Sequence, residues 1–350
     1  MAFTLTHLTE ALNAPFDSVI DVRAPSEFAE DHMPGAINLP VLSDAERAKV
    51  GTIYVRQDRF LARKVGAALV ARNAAHHIET ALSQKDGGWR PLVYCWRGGQ
   101  RSGSFASILS QIGWRVAVVD GGYRSYRRLV ADRLYDQPLG LEVILLDGGT
   151  GTAKTQLLRH LSDAGAQTLD LEALAEHRGS NFGGLPGGQP AQKMFESRLA
   201  QALLPLDPAR PVFLEAESNA IGAIKLPPAL WTAMRAAPVI QVTAPLAARA
   251  RHLLTAYPDL GADLDLLTRR IDSLRPYHPR TTIAAWQELA QTGRLHPLAE
   301  ALIAAHYDPR YRRAARAQPR LADIVLSDLT PADLDRAAAR ILDLSETRPA

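Results

Sequence analysis

Short apolar runs alternate with amphipathic segments along the first two thirds of the chain. The runs "SVIDVR" (18–23), "PLVYCW" (91–96) and "WRVAVVDGG" (114–122) are too short for core helices and are predicted to be buried strands. Beside them, "SEFAEDH" (26–32) and "SGSFASILSQIG" (102–113) carry apolar residues at helical spacing. That alternation predicts an α/β fold whose parallel sheet is covered on both faces. The polar stretch "RLYDQPLG" (133–140) breaks the pattern and reads as a linker. A second α/β unit begins at "LEVILLD" (141–147) and continues through "PVFLEAES" (211–218) and "APVIQVTA" (237–244). Beyond Pro245, Ala, Leu and Arg at helical spacing dominate. The expected division is 1–136, 137–245, and a mainly helical region 246–350 packed on the second domain.

Composition narrows the class only modestly. A chain of 350 residues with 47% hydrophobic and 22% charged residues can bury two sizeable cores. A net charge of +3 excludes neither nucleic acid nor small anions as partners. The opening "MAFTLTHLTEALNAPFD" lacks a basic start followed by a long apolar core, and no apolar run approaches the roughly 20 residues of a membrane span. A cytoplasmic enzyme or binding protein, not a membrane protein, is therefore expected. One cysteine forms no internal disulfide, and the scattered histidines with that single thiol offer no zinc spacing.

That thiol, Cys95, ends a predicted strand and opens the loop Trp96, Arg97, Gly98, Gly99, Gln100, Arg101. Two glycines let consecutive amides turn inward as an anion nest, and the following helix start and two arginines add positive potential. Such surroundings favour thiolate, the nucleophilic form. A buried structural cysteine is the plain alternative, although it has no need of a cationic loop.

The segment Gly148, Gly149, Thr150, Gly151, Thr152, Ala153, Lys154, Thr155 fits the phosphate-binding pattern G-x-x-x-x-G-K-[ST], with alanine at the second glycine position. An apolar run precedes it and a leucine-rich helix follows. Backbone amides at a helix start would hold phosphate oxygens, and Lys154 would neutralise charge. The alanine matters little if its backbone is helical. Glu215 and Glu217 end a later strand and are candidates for an acid or a Mg²⁺ ligand; no metal beyond Mg²⁺ is expected. The glycine-rich stretch around His177, Arg178, Gly179, Ser180, Asn181 and Phe182 reads as a mobile loop able to close over substrate. Arg310, Tyr311, Arg312, Arg313 and Arg316 are RNA-binding candidates: arginines for phosphates, tyrosine for an unpaired base.

"VIDVRAPSEFAEDHMPGAINLP" (19–40), the Cys95 loop and "DGGY" (120–123) resemble a rhodanese domain over roughly residues 5–135. The resemblance implies that Cys95 carries a chalcogen atom within its nest of amides. Arg101 lies six positions after Cys95 rather than the usual five, a spacing shared with a phosphatase branch of that fold. With the phosphate loop, "HRGSNFG" (177–183), "EAESNAIG" (215–222) and "YDPRY" (307–311), the chain resembles the tRNA 2-selenouridine synthase family almost throughout. That resemblance implies exchange of sulfur for selenium in wobble 2-thiouridine through an S-geranyl intermediate. Geranyl diphosphate and selenophosphate are then the co-substrates, and no tightly bound cofactor is expected. A tRNA anticodon stem-loop would be the partner, with a selenophosphate-supplying enzyme as another, and the prenyl pocket would lie among the helices after residue 245. Two alternatives stay open: an ATP-dependent rhodanese-type sulfurtransferase, and a nucleotide-binding kinase or regulator with a non-catalytic rhodanese domain.

Overall fold

The computed structural model describes residues 1–180, 182–313 and 318–346, and the chain forms two compact units. Asn181 and Arg316 lie outside the described residues, as do the side chains of Arg312 and Arg313.

The first unit comprises Met1–Pro138 and Pro190–Pro205. Its strands are β1 (Ala2–Phe3), β2 (Ser18–Asp21), β3 (Ala36–Asn38), β4 (Pro91–Tyr94) and β5 (Ala117–Val119), all parallel in the order β1-β5-β4-β2-β3. The central β4 is buried along its whole length, which explains a run apolar on both faces. Ile20, Val22, Val93, Phe105, Leu109 and Trp114 join strands and helices in one core.

Residues 190–205 were expected within the second domain, whereas the helix Gln192–Leu203 packs with the first unit. Buried polar groups account for this. Ser197 Oγ donates to Asp31 Oδ2 at 2.8 Å, Tyr123 OH donates to the same oxygen at 2.7 Å, and Arg127 pairs with Glu196. Leaving Asp31 buried without such donors would be costly.

The second unit, Leu139–Gln189 and Leu206–Ala350, holds β6 (Val143–Asp147), β7 (Gln167–Leu169), β8 (Val212–Glu215), the short antiparallel pair β9 (Ala220–Ile221) and β10 (Ile224–Lys225), β11 (Val239–Thr243) and β12 (Arg320–Val325). Its main sheet is parallel in the order β12-β11-β6-β8-β7. The chain goes first to one side of β6 and later to the other, so a crevice opens at the carboxyl end of β6. The region after Pro245 is helical up to Arg313, but it then returns to the sheet as β12, paired along β11. The final helix Pro331–Glu346 covers the helix Lys154–Asp163, and Leu157, Leu158, Leu161, Ile324, Leu334 and Ile341 share a core. Among the described residues no helix is long and apolar enough to cross a membrane.

Candidate functional site

In the first unit, Cys95 leaves β4 only 3% exposed, and the helix Gln100–Ile112 starts five residues later. The amides of Tyr123 and Arg124 donate to the carbonyls of Cys95 (2.8 Å) and Trp96 (3.1 Å), fixing the loop from behind. Arg97, Gly98 and Gly99 have backbone amides without a protein acceptor among the described residues, as an anion nest requires. Gly98 and Gly122 both have positive φ. A Cβ on Gly122 would stand 2.3 Å from the Cys95 carbonyl oxygen, and one on Gly98 would stand 2.8 Å from that of Val119. The "DGGY" glycines are thus the surface on which the cysteine loop is moulded.

Two polar partners complete this site. Ser102, fully buried, donates through Oγ to Cys95 Sγ at 3.1 Å. Arg101 is held by Glu27, with Nη1 to Oε2 at 2.7 Å, and Glu27 also receives Arg47 at 2.9 Å. Burial opposes ionisation of Glu27, but the hydrogen bond and charge of Arg101 hold its carboxyl below the ordinary value. Arg101 is therefore tied to Glu27, while Arg97 stands exposed beside the nest.

In the second unit, the phosphate loop joins β6 to the helix Lys154–Asp163. Lys154 Nζ donates to the Gly148 carbonyl at 2.6 Å, folding its ammonium back over the loop. Thr155 Oγ1 donates to Glu172 Oε2 at 2.9 Å, and Thr152 Oγ1 donates to the Gly149 carbonyl at 2.8 Å. Ala153 is not helical: its φ of 59° and ψ of 31° are left-handed, the conformation for which glycine is favoured. The alanine therefore carries strain that the expectation of a helical backbone did not include.

A second layer holds this loop. Arg249 Nε donates to the Thr150 carbonyl at 2.9 Å while its Nη atoms grip both carboxylate oxygens of Asp308 at 3.0 and 2.6 Å. Tyr311 accepts from the Gly148 amide at 2.7 Å, and Arg310 lies over the Tyr277 ring at 3.9 Å with Nη1 3.3 Å from His306 Nε2. Arg310 and Tyr311 thus face the phosphate-loop cleft. Burial, then Arg310 and His278, push His306 down to about 4.

The stretch expected to be a mobile loop has defined partners. The Arg178 amide donates to the Gly183 carbonyl at 2.9 Å, His177 bridges Gly184, and Phe182 is buried against Leu260, Leu267 and Trp286. Arg178 pairs with Asp259 at 2.9 Å and lies over Tyr257, whose hydroxyl is 2.9 Å from Ser180 Oγ. Gly179 has φ of +66°, and a Cβ there would strike Glu172 Oε1 at 2.1 Å. Burial, together with the charges of Arg270 and Arg178, lowers the His177 pKa.

These parts surround a cleft of 1220 Å³ lined by the phosphate loop, Glu172, Arg178, Glu217, His252, His306 and Tyr311. A narrower apolar pocket of 150 Å³ shares Thr150, Ser180, Leu253, Tyr257 and Tyr307 with it and runs between Leu254, Leu260, Leu298 and Leu302. Of the two acids expected at the end of β8, Glu217 lines the cleft. Glu215 is enclosed, accepts from the Leu171 amide at 3.2 Å, and is pushed well above its ordinary pKa by burial and by Asp170 and Glu172. The strand stops at Glu215, and the Glu217 amide turns back to its carbonyl, so simple alternation no longer applies. Ser102, Glu172, Arg249 and Asp308 were not read as site residues. Asp308 lay within "YDPRY", but nothing in the local pattern around Glu172 or Arg249 marks a role.

Both units are similar in sequence to known proteins. The family described as tRNA 2-selenouridine synthase AAA domain matches residues 141–263, and the rhodanese-like domain family matches residues 4–129. The tRNA 2-selenouridine synthase of Bordetella petrii is 35% identical over 327 residues, covering 84% of this chain and 85% of that protein. The protein of the same name from Nitrosomonas europaea is 37% identical over 243 residues, which cover 68% of this chain and 63% of the relative's length. That from Bdellovibrio bacteriovorus is 36% identical over 267 residues, with 72% and 68% covered.

Proposed function

The chain belongs to the tRNA 2-selenouridine synthase family, and from that premise we propose that it converts wobble 2-thiouridine in tRNA to 2-selenouridine through an S-geranyl intermediate. The observation that carries this reading is an apolar pocket continuous with a phosphate cradle. A prenyl diphosphate needs that pairing, whereas a plain nucleotide phosphotransferase has no use for a leucine-lined arm.

In the first half-reaction the thiocarbonyl sulfur attacks the allylic carbon of geranyl diphosphate, and the carbon–oxygen bond breaks toward the diphosphate. Loop amides and Lys154 stabilise the negative charge that grows on the departing group. Arg249 and Asp308 keep the loop in shape, and the leucine arm holds the hydrocarbon away from water. If Mg²⁺ accompanies the diphosphate, Thr155 and Glu172, hydrogen-bonded to each other beside Lys154, would hold it, and it would help neutralise the charge on the departing group. In the second half-reaction the exposed amides of Arg97–Gly99 hold the anionic selenium donor beside Cys95. The donor's selenium adds to the pyrimidine carbon, and geranyl thiolate (a better leaving group than sulfide) departs and takes up a proton. Water then cleaves the selenium–phosphorus bond, releasing phosphate and leaving the selenocarbonyl.

The test is to incubate purified protein with a 2-thiouridine anticodon stem-loop and geranyl diphosphate, then add selenophosphate, weighing the RNA at each stage. A geranyl mass gain followed by its replacement with selenium supports the reading. An unchanged RNA that acquires sulfur or selenium only when ATP is supplied would replace it with an ATP-dependent transferase.

A further inference from the structure

The first unit carries a surface that neither the cysteine site nor the phosphate cleft uses. The helices Asp44–Arg56 and Arg59–Glu79 form a hairpin that ends in the two-residue tip Gln57-Asp58. Ser43 caps the first helix by accepting from the Glu46 amide at 3.2 Å, and Asp58 caps the second by accepting from the Leu61 amide at 2.6 Å. The tip is therefore a formed structure with fixed side-chain directions.

Three large apolar side chains point outward there, which soluble surfaces seldom tolerate together: Tyr54 is 49% exposed, Val55 81% and Phe60 70%. They are interleaved with cations. From Arg47 to Lys64 six side chains are positive and only Asp58 is negative, a net of five charges on 18 residues in a chain that nets +3. Arg47 is paired with Glu27, whereas Lys49, Arg56, Arg59, Arg63 and Lys64 are exposed and have no ion-pair partner among the described residues. The Arg59 guanidinium lies 5.5 Å from the centre of the Tyr54 ring, so one face already combines a ring with a cation.

We infer that this helical tip is a docking surface for the tRNA substrate, its arginines on backbone phosphates and Phe60 and Tyr54 against unpaired bases. Cations concentrated beyond the whole-chain balance suit a polyanion, and exposed rings suit splayed bases. The inference rests on the proposed tRNA reading and adds a surface to it, far in sequence from the arginines at 310–316 expected to bind RNA.

The test measures binding without chemistry, by fluorescence anisotropy of labelled, unmodified tRNA with the full chain across a salt series. The triple variant Arg56→Gln/Arg59→Gln/Arg63→Gln should raise Kd at least about tenfold near 0.1 M salt and reduce the slope of log Kd against log salt by about 2. Phe60→Ala should raise Kd roughly fivefold or more at an unchanged slope, because stacking is not a counterion effect. Unaltered thermal unfolding and an unaltered Cys95 alkylation rate exclude misfolding. Wild-type Kd and slope in both variants would overturn the inference while leaving the functional reading intact. So would retained tRNA binding with lost association to a selenophosphate-supplying protein, which would make the tip a protein interface. A wild-type protein that binds tRNA through the tip yet transfers no geranyl group would instead remove the functional reading and keep the surface.

Discussion

Cys95 and Lys154 sit in different units on loops of similar logic, each a strand end followed by glycine-shaped backbone and a helix start. Their substitutions should therefore separate the chemistry. Cys95→Ala is expected to abolish selenation and spare geranylation, whereas Lys154→Ala should lower the geranylation rate by roughly a hundredfold. Mass spectrometry of the stem-loop after each half-reaction reads both, and equal loss of both steps in the Cys95 variant would refute the division. Ala153 offers a stability test at the same scale. Because it occupies left-handed backbone, Ala153→Gly should stabilise the second unit by about 1 kcal/mol, seen as a raised denaturation midpoint. At this scale the sequence was partly legible. A glycine-rich loop ending in Ala153-Lys154-Thr155 and a lone cysteine followed by two arginines are local patterns that residue types alone can signal. Ser102 was hidden because a serine in a helix's first turn has several uses, and only the packed fold shows its hydroxyl meeting the sulfur. Arg249 and Glu172 were hidden for the same reason, since their partners lie 59 and 17 residues away.

Among elements, the close approach of the Cys95 loop to "DGGY" makes the clearest demand. Gly122→Ala would force a Cβ into the Cys95 carbonyl and the Gly98 amide in a conformation suited to glycine, so about 2–3 kcal/mol of the first unit's stability should be lost. Faster alkylation of Cys95 at unchanged pH would report the loosened loop, and an unaltered melting curve would refute the moulding argument. The buried strands were legible because burial on both faces leaves continuous apolar runs, as in β4 and β6. β12 was not legible. It is the edge of its sheet, its residues are exposed or half-buried without regular alternation, and only Ile324 is fully enclosed, so its pattern merges into an Arg- and Ala-rich tail. The contacts that anchor residues 177–180 and 182–184 were not legible for a related reason. Five glycines in the wider stretch suggest freedom, but Phe182 and Arg178 find partners on helices about 80 residues further along.

For the whole molecule, protonation is a sensitive variable in the second unit. His306 titrates near 6.5 when unfolded and near 4 when folded, so the unfolded chain takes up a proton first as pH falls. Its contribution is intact above pH 6.5 and is lost progressively down to about pH 4, with an upper limit of roughly 3 kcal/mol. Unfolding midpoints of the wild type and His306→Gln across that window should converge toward pH 4, and parallel curves would refute the assignment. Domain organisation was only partly readable, because the helix Gln192–Leu203 joins the first unit through Asp31, a contact 166 residues distant in sequence.

The return of β12 and the final helix has a consequence in time. A growing chain completes Thr155 long before residue 346 is made, and at typical elongation rates the gap is on the order of 10–40 s. During that interval the helix that begins at Lys154 lacks the layer supplied by Leu334 and Ile341, and β11 has a bare edge. The phosphate cradle is thus among the earlier parts of its unit to be synthesised and among the last to be secured, which makes the nascent chain, more than the finished one, the form most exposed to misassembly.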